Sequence, residues 1–152
     1  MSCDTISCKF IKFMSQQMAL SSLSSGRAGE MATRKLFSEY GWSAKTNKEA
    51  RIPDPTGTNL TGFLMPDLLV RKGDQEWVIE VKSNGPIKGS MYHKWIYQAL
   101  RHSFTGRKTL FVFNLAEPDI FKRELRFLRE AVASMNLEFV LLSDLPQWLA
   151  QK

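Results

Sequence analysis

The stretch FLMPDLLVRKGDQEWVIEVK, residues 63–82, decides how this chain folds. Residues 63–70 are apolar and strand-like, Arg71-Lys72-Gly73-Asp74 is a turn signal, and residues 75–81 form a second run rich in β-formers. The two runs make a β-hairpin. With the turn centred on Gly73-Asp74, counting outward along both strands brings Asp67 opposite Glu80. Side chains alternate along a strand, so Glu80 and Lys82 share one face of the sheet. Asp67, the cross-strand partner of Glu80, shares that face too.

Upstream, Ser24-Ser25 offer helix N-caps, and Ala28, Met31, Ala32, Leu36 and Tyr40 follow at helical spacing. Gly41 ends that helix as a C′ residue. Residues 42–45 suit a short strand. Residues 46–62, punctuated by Pro53, Pro55, Gly57 and Gly62, read as a long loop. Downstream, residues 83–90 (SNGPIKGS) read as a flexible loop and residues 91–104 as a helix with Ile96, Leu100 and Phe104 on its apolar face. Residues 109–115 (TLFVFNL) are a buried strand by their continuous apolar character. Residues 118–135 form an amphipathic helix with Phe121, Leu125, Leu128 and Val132 inward, and residues 138–142 a last strand. Ser143 is the expected cap of a short closing helix that runs through Trp148. The order α-β-β-β-α-β-α-β-α predicts an α/β fold: a central mixed sheet of about five strands with helices on both faces.

The chain has 152 residues, which suits one domain with a core of its own. Residues 24–152 make that domain, and residues 1–23, Ser-rich with one apolar patch broken by Lys12, read as an N-terminal extension. No apolar run approaches a membrane span, so no membrane is expected. The only cysteines, Cys3 and Cys8, lie outside the domain, so no disulfide framework holds it, which fits a reducing cytoplasm. The formal charge of +6 favours polyanionic partners and equally serves surface solubility.

Glu80 and Lys82 interrupt an otherwise apolar strand. In a sheet covered on both faces those charges are at least partly buried, and buried charge needs partners or a metal. Two carboxylates held close repel and raise a pKa, and a divalent cation removes that penalty. Oxygen ligands in small number suit Mg²⁺, which keeps several waters and takes substrate phosphate as a further ligand. Asp67 and Glu80 are then the ligands, with the Val81 carbonyl as another. The ion would polarise a phosphodiester and lower the pKa of a bound water. Lys82 would orient or deprotonate that water, or stabilise charge on the phosphate. An acid-x-Lys triplet alone is cheap: a chain of this length holds on the order of one by chance. The conjunction of Pro-Asp, a turn of matching length and Glu-x-Lys carries the reading.

Pro66-Asp67 followed by Glu80-Val81-Lys82 resembles the signature of the PD-(D/E)xK nuclease superfamily, over about residues 24–115. The resemblance implies a restriction-endonuclease-like α-β-β-β-α-β core, here extended by αβα. It implies a Mg²⁺-dependent endonuclease acting on DNA, with Mn²⁺ as substitute, working as a homodimer or inside a larger DNA-processing complex. It adds Glu30, on the first helix, as a metal-site residue. It adds Gln98, on the helix after the Glu-x-Lys strand, as in RecB-like members. The tyrosine those members carry four residues later is His102 here. The loop TGTNLTG, residues 56–62, is similar to the loop before the motif in the resolvase-like branch, which implies Thr58 and Asn59 as phosphate-backbone contacts; its other reading is a solvated connector. Lys88, Lys94 and Arg101 make a phosphate-tracking rim beside the site, or simply a solvated helix face. Lys122, Arg123, Arg126 and Arg129 are interleaved with acids and read as solvated. The four tryptophans read as core or cleft wall, and neither histidine has zinc-site spacing. The alternative to an enzyme is an inactive nuclease-fold module that binds nucleic acid or a protein partner.

Overall fold

The computed structural model describes residues 26–57, 60–84, 89–115 and 118–152, so residues 1–23 and the Ser24-Ser25 caps lie outside the described residues. Helix α1 (Gly26–Glu39) leads into strand β1 (Ser43–Thr46) and a 3-10 turn (Asn47–Glu49). Then come β2 (Ile52–Pro53), β3 (Phe63–Leu64), β4 (Leu68–Lys72) and β5 (Gln75–Asn84). Helix α2 (Gly89–Ser103), β6 (Lys108–Leu115), α3 (Pro118–Ala131) and β7 (Leu137–Leu141) follow, and a 3-10 turn (Leu142–Asp144) leads to α4 (Leu145–Ala150). The central sheet has five strands in the order β1-β4-β5-β6-β7. β1, β4 and β5 are antiparallel, whereas β5, β6 and β7 are parallel. The fold is therefore α/β with a mixed sheet flanked by helices, and β5 is the seam between its two halves.

The hairpin has the expected register. Gly73, at φ 57, and Asp74 are a two-residue turn, and the strands pair from Lys72↔Gln75 to Leu68↔Ile79. A positive φ at Gly73 is what a tight hairpin turn of this hand requires. Arg71 and Lys72, expected in the turn, are strand residues that pair with Glu76 and Gln75. Residues 63–70 are not one strand. Pro66 has no N–H to give a ladder, and the chain leaves Phe63-Leu64 paired with Ile52-Pro53 in a separate two-stranded sheet. The stretch 46–62 thus holds ordered elements where a loop was expected.

Side-chain alternation in β5 sorts two cores. On one face Trp77, Ile79 and Val81 pack with Ala32, Leu36 and Phe37 of α1 and with Leu145 and Leu149 of α4. On the other, Phe111 and Phe113 of β6 pack with Trp95 and Ala99 of α2 and Leu125 and Leu128 of α3. Helix α1 ends as read: Gly41 has φ 82, its N–H donates to the Ser38 carbonyl and the Trp42 N–H to that of Phe37. Met31, expected inward, is 61% exposed. Helix α2 buries Trp95, Ala99 and His102 and leaves Ile96 and Phe104 exposed, so its inward face is turned about one residue from the expected one. The aromatic floor of Phe111 and Phe113 selects Trp95, whose ring lies 5.3 Å from that of Phe113. Helix α4 starts at Leu145 behind Asp144, with no side-chain cap, so Ser143 is in the preceding turn and is not the cap. Among the described residues no helix is long and apolar enough to cross a membrane.

Candidate functional site

β4 stops at Leu68 while β5 runs on to Asn84, so Glu80, Val81 and Lys82 extend past the last β4 pair with β6 still alongside. Asp67 fills the gap. It bends out of the strand, and its Oδ2 accepts the Val81 N–H at 2.6 Å, taking the place of a ladder carbonyl. In a strand the N–H and C=O of one residue point to the same side. The Val81 carbonyl therefore faces this gap as well.

Glu80 is 2% exposed. Its Oε2 accepts from Lys82 Nζ at 3.0 Å and from Gln98 Nε2 at 2.8 Å. His102 Nε2 lies 3.1 Å from Oε1. Gln98 and His102 are one helical turn apart on α2, so a single face of that helix supplies both. Glu80 Oε1 and His102 Nδ1 are buried with no further hydrogen-bond partner among the described residues. Burial works to raise the Glu80 pKa, but His102 and Lys82 outweigh it and hold the carboxyl below its ordinary range. Asp67 goes the other way. Burial, then the Glu80 charge and a smaller push from Glu30, raise its carboxyl to about 6 against the opposing Val81 N–H and Lys82.

Glu30 reaches this neighbourhood from α1. It shares with Asp67 a cleft of about 540 Å³ that Arg27 and Arg34 also line. α1 can lie this close to β5 because residue 29 is glycine: a Cβ there would collide with Ser83 Oγ and crowd Val81 Cγ1. A second cleft, of about 560 Å³, opens on the α2 side and has Gln98 and His102 in its wall. The charged groups thus stand between two clefts.

Of the residues singled out in the sequence, Asp67, Glu80, Val81, Lys82 and Gln98 come together, and Glu30 joins Asp67. Arg101 does not stand free as a phosphate rim: its Nη2 donates to Asp54 Oδ2 at 2.8 Å and ties α2 to the segment after β2. Lys94 is exposed on α2. Thr58, Asn59 and Lys88 lie outside the described residues. Sequence reasoning missed Arg27, Arg34 and His102. The signals were present: Arg27 and Arg34 bracket Glu30 at helical spacing, and His102 follows Gln98 by one turn. Among the described residues no three His, Cys, Asp or Glu side chains converge on a point a metal could occupy.

No family model matches the chain, and no curated protein matches it. Its backbone is similar to the crystal structure of a protein of unknown function, AF1548, with a TM-score of 0.47 and 18% identity. The match covers 76% of this chain and 56% of that one, so the chain spans little more than half the length of that structure. A likeness of this size says nothing about activity.

Proposed function

We propose that the protein is a divalent-metal-dependent nuclease of the PD-(D/E)xK superfamily that hydrolyses DNA phosphodiester bonds. The observation that carries the reading is the gap at the end of β4, where Asp67, Glu80, Lys82 and the Val81 carbonyl meet and Asp67 is pushed up to about 6. With the β2-β3 pair set aside, the order α1-β1-β4-β5-α2-β6 agrees with the α-β-β-β-α-β core expected of that superfamily and supports the reading.

The donor set fits Mg²⁺. It offers two carboxylates and a carbonyl, few enough to leave places for water and substrate phosphate. Glu80 Oε1 is a buried acceptor with spare capacity, and a cation would relieve the repulsion that raises Asp67. Asp67, Glu80 and the Val81 carbonyl would hold the ion, Mg²⁺ or Mn²⁺, with Glu30 in support; bound, it supplies positive charge at the phosphate and a more acidic water. Lys82 Nζ lies 3.0 Å from Glu80 Oε2, where it would orient or deprotonate the attacking water or stabilise charge on the phosphate. Gln98 and His102 lock the Glu80 rotamer. Arg27 and Arg34 bind phosphate at the rim of the Glu30 cleft.

A cleavage panel tests this. Single-stranded, duplex, flapped and four-way-junction DNA, and RNA, are offered with and without Mn²⁺ to wild type and Lys82→Ala. Metal-dependent cleavage that Lys82→Ala abolishes is expected. No metal-dependent cleavage of any substrate, or equal cleavage by the variant, would sink the proposal. One observation favours a second reading, an inactive nuclease-fold module: Lys82, Gln98 and His102 already compensate Glu80 without a metal. Calorimetry separates the two, because the enzyme binds Mg²⁺ or Mn²⁺ and loses that heat in Asp67→Ala, whereas the module shows no heat. Sedimentation with and without DNA tests the homodimer expected of a small enzyme of this kind.

A further inference from the structure

Beyond Gln98 and His102, the cleft on the α2 side collects large water-facing side chains that the hydrolytic chemistry above does not use. Phe63, Met65 and Tyr97 are 37%, 68% and 58% exposed and line it together. Two exposed aromatic rings and a methionine therefore face one concave surface. Each aromatic ring also carries a guanidinium: Arg51 lies 4.9 Å from the centre of the Phe63 ring and Arg101 lies 5.9 Å from that of Tyr97. Asp54 holds Arg101, so the plane of its guanidinium is fixed in advance. Aromatic faces and guanidinium planes are the surfaces on which unpaired nucleobases stack. The cleft shares Gln98 and His102 with the Glu80 cluster, so an occupant here sits beside the proposed scissile phosphate.

We infer that this cleft holds one unstacked nucleobase of the substrate strand, and hence that the preferred substrate carries unpaired nucleotides next to the cut. An intact duplex keeps its bases stacked and would have to extrude one to fill the cleft. The inference rests on the nuclease reading for the position of the phosphate, whereas the base contact itself needs no metal.

The test uses the full chain in EDTA, so that no strand is cut. Single-stranded, gapped and fully paired oligonucleotides carry 2-aminopurine at successive positions, and emission and affinity are read. Emission should change at one unpaired position. Tyr97→Ala, at an exposed residue that the fold does not need, should weaken single-strand binding about tenfold, with Tyr97→Phe restoring it. Phe63→Ala should weaken it in the same direction. The inference is overturned if both alanine variants bind the strands as tightly as wild type, or if fully paired DNA binds as tightly as the gapped form. Binding to no strand at all also overturns it and leaves the cleft to a protein partner. Tyr97-dependent binding by a chain that cuts nothing in Mn²⁺ removes the nuclease reading and keeps the base site; normal cutting with Tyr97-independent binding removes the base site alone.

Discussion

Asp67 and Glu80 sit side by side and are displaced in opposite directions, which makes their effects separable by pH. Asp67 is raised from 3.8 to about 6. Between those values the folded state holds more protons than the unfolded one, so this group's contribution to stability falls as pH rises through about 6. Asp67→Asn keeps an acceptor for the Val81 N–H and removes the charge. The variant should be more stable than wild type near neutral pH by about 1 kcal/mol, after discounting for solvent screening, and the difference should vanish in acid. Urea melts across the pH range check this, and a variant less stable near neutrality would contradict it. If Asp67 holds the proposed cation, the same proton competes with it, and Mg²⁺ affinity by calorimetry should rise as pH rises through about 6 and then level off. Glu80 has the reverse sign: held below 4.5, it contributes stability that is present above that value and lost as pH falls through its folded pKa. His102→Ala leaves the buried Glu80 short of a partner and should cost about 1–3 kcal/mol. His102→Gln, which keeps a donor, should cost less; equal losses in chemical denaturation would mean that only packing matters there.

The elements that make the site are a hairpin and two helices that approach it from opposite faces. The hairpin was legible because everything that sets it is local: the Gly73-Asp74 turn and the alternation on either side. Its end was not legible. The apolar pattern of residues 63–70 hides the break that Pro66 makes by lacking a ladder N–H, and the pairing of Phe63-Leu64 with Ile52-Pro53 completes it, letting Asp67 turn toward Val81. The close approach of α1 to β5 is an element-scale requirement that Gly29 meets. Gly29→Ala should set a Cβ against Ser83 Oγ, which must turn away, and against Val81 Cγ1, so the variant should lose the stability of about 1 kcal/mol that alanine otherwise gains in a helix. Ser83→Ala in the same chain removes the main obstruction and should recover much of the loss. A double-mutant cycle by thermal melting reads this, and additive losses would exclude the contact as the cause.

At the scale of the whole molecule, a charge of +6 becomes useful only if it is gathered where a polyanion passes. The structure gathers some of it and spends some elsewhere. Arg27 and Arg34 line the Glu30 cleft, whereas Arg71 and Arg107 are paired with Glu76, and Arg101 with Asp54. On the proposed nuclease reading, single-strand affinity should fall with salt, with a slope set by a few phosphates, and Arg27→Gln or Arg34→Gln should each reduce that slope by about 0.7. Fluorescence anisotropy across a salt series measures it, and unchanged slopes would move the strand's path away from α1.

The amino-acid sequence by itself determined the helices, the five strands of the central sheet and the hairpin register, but not the β2-β3 pair or the turn of Asp67 out of the strand. The former follow from turn chemistry and from periods of two and 3.6 residues, which act over a few neighbours. Only the tertiary structure decided what surrounds Glu80, which way Asp67 titrates, and which arginines stay available. Gln98 meets Glu80 across 18 residues and Arg101 meets Asp54 across 47, contacts that exist once the sheet has ordered and α2 has docked on it. The face α2 presents is chosen by the aromatic floor of β6 and not by its own apolar pattern, and that choice turns His102 inward onto Glu80.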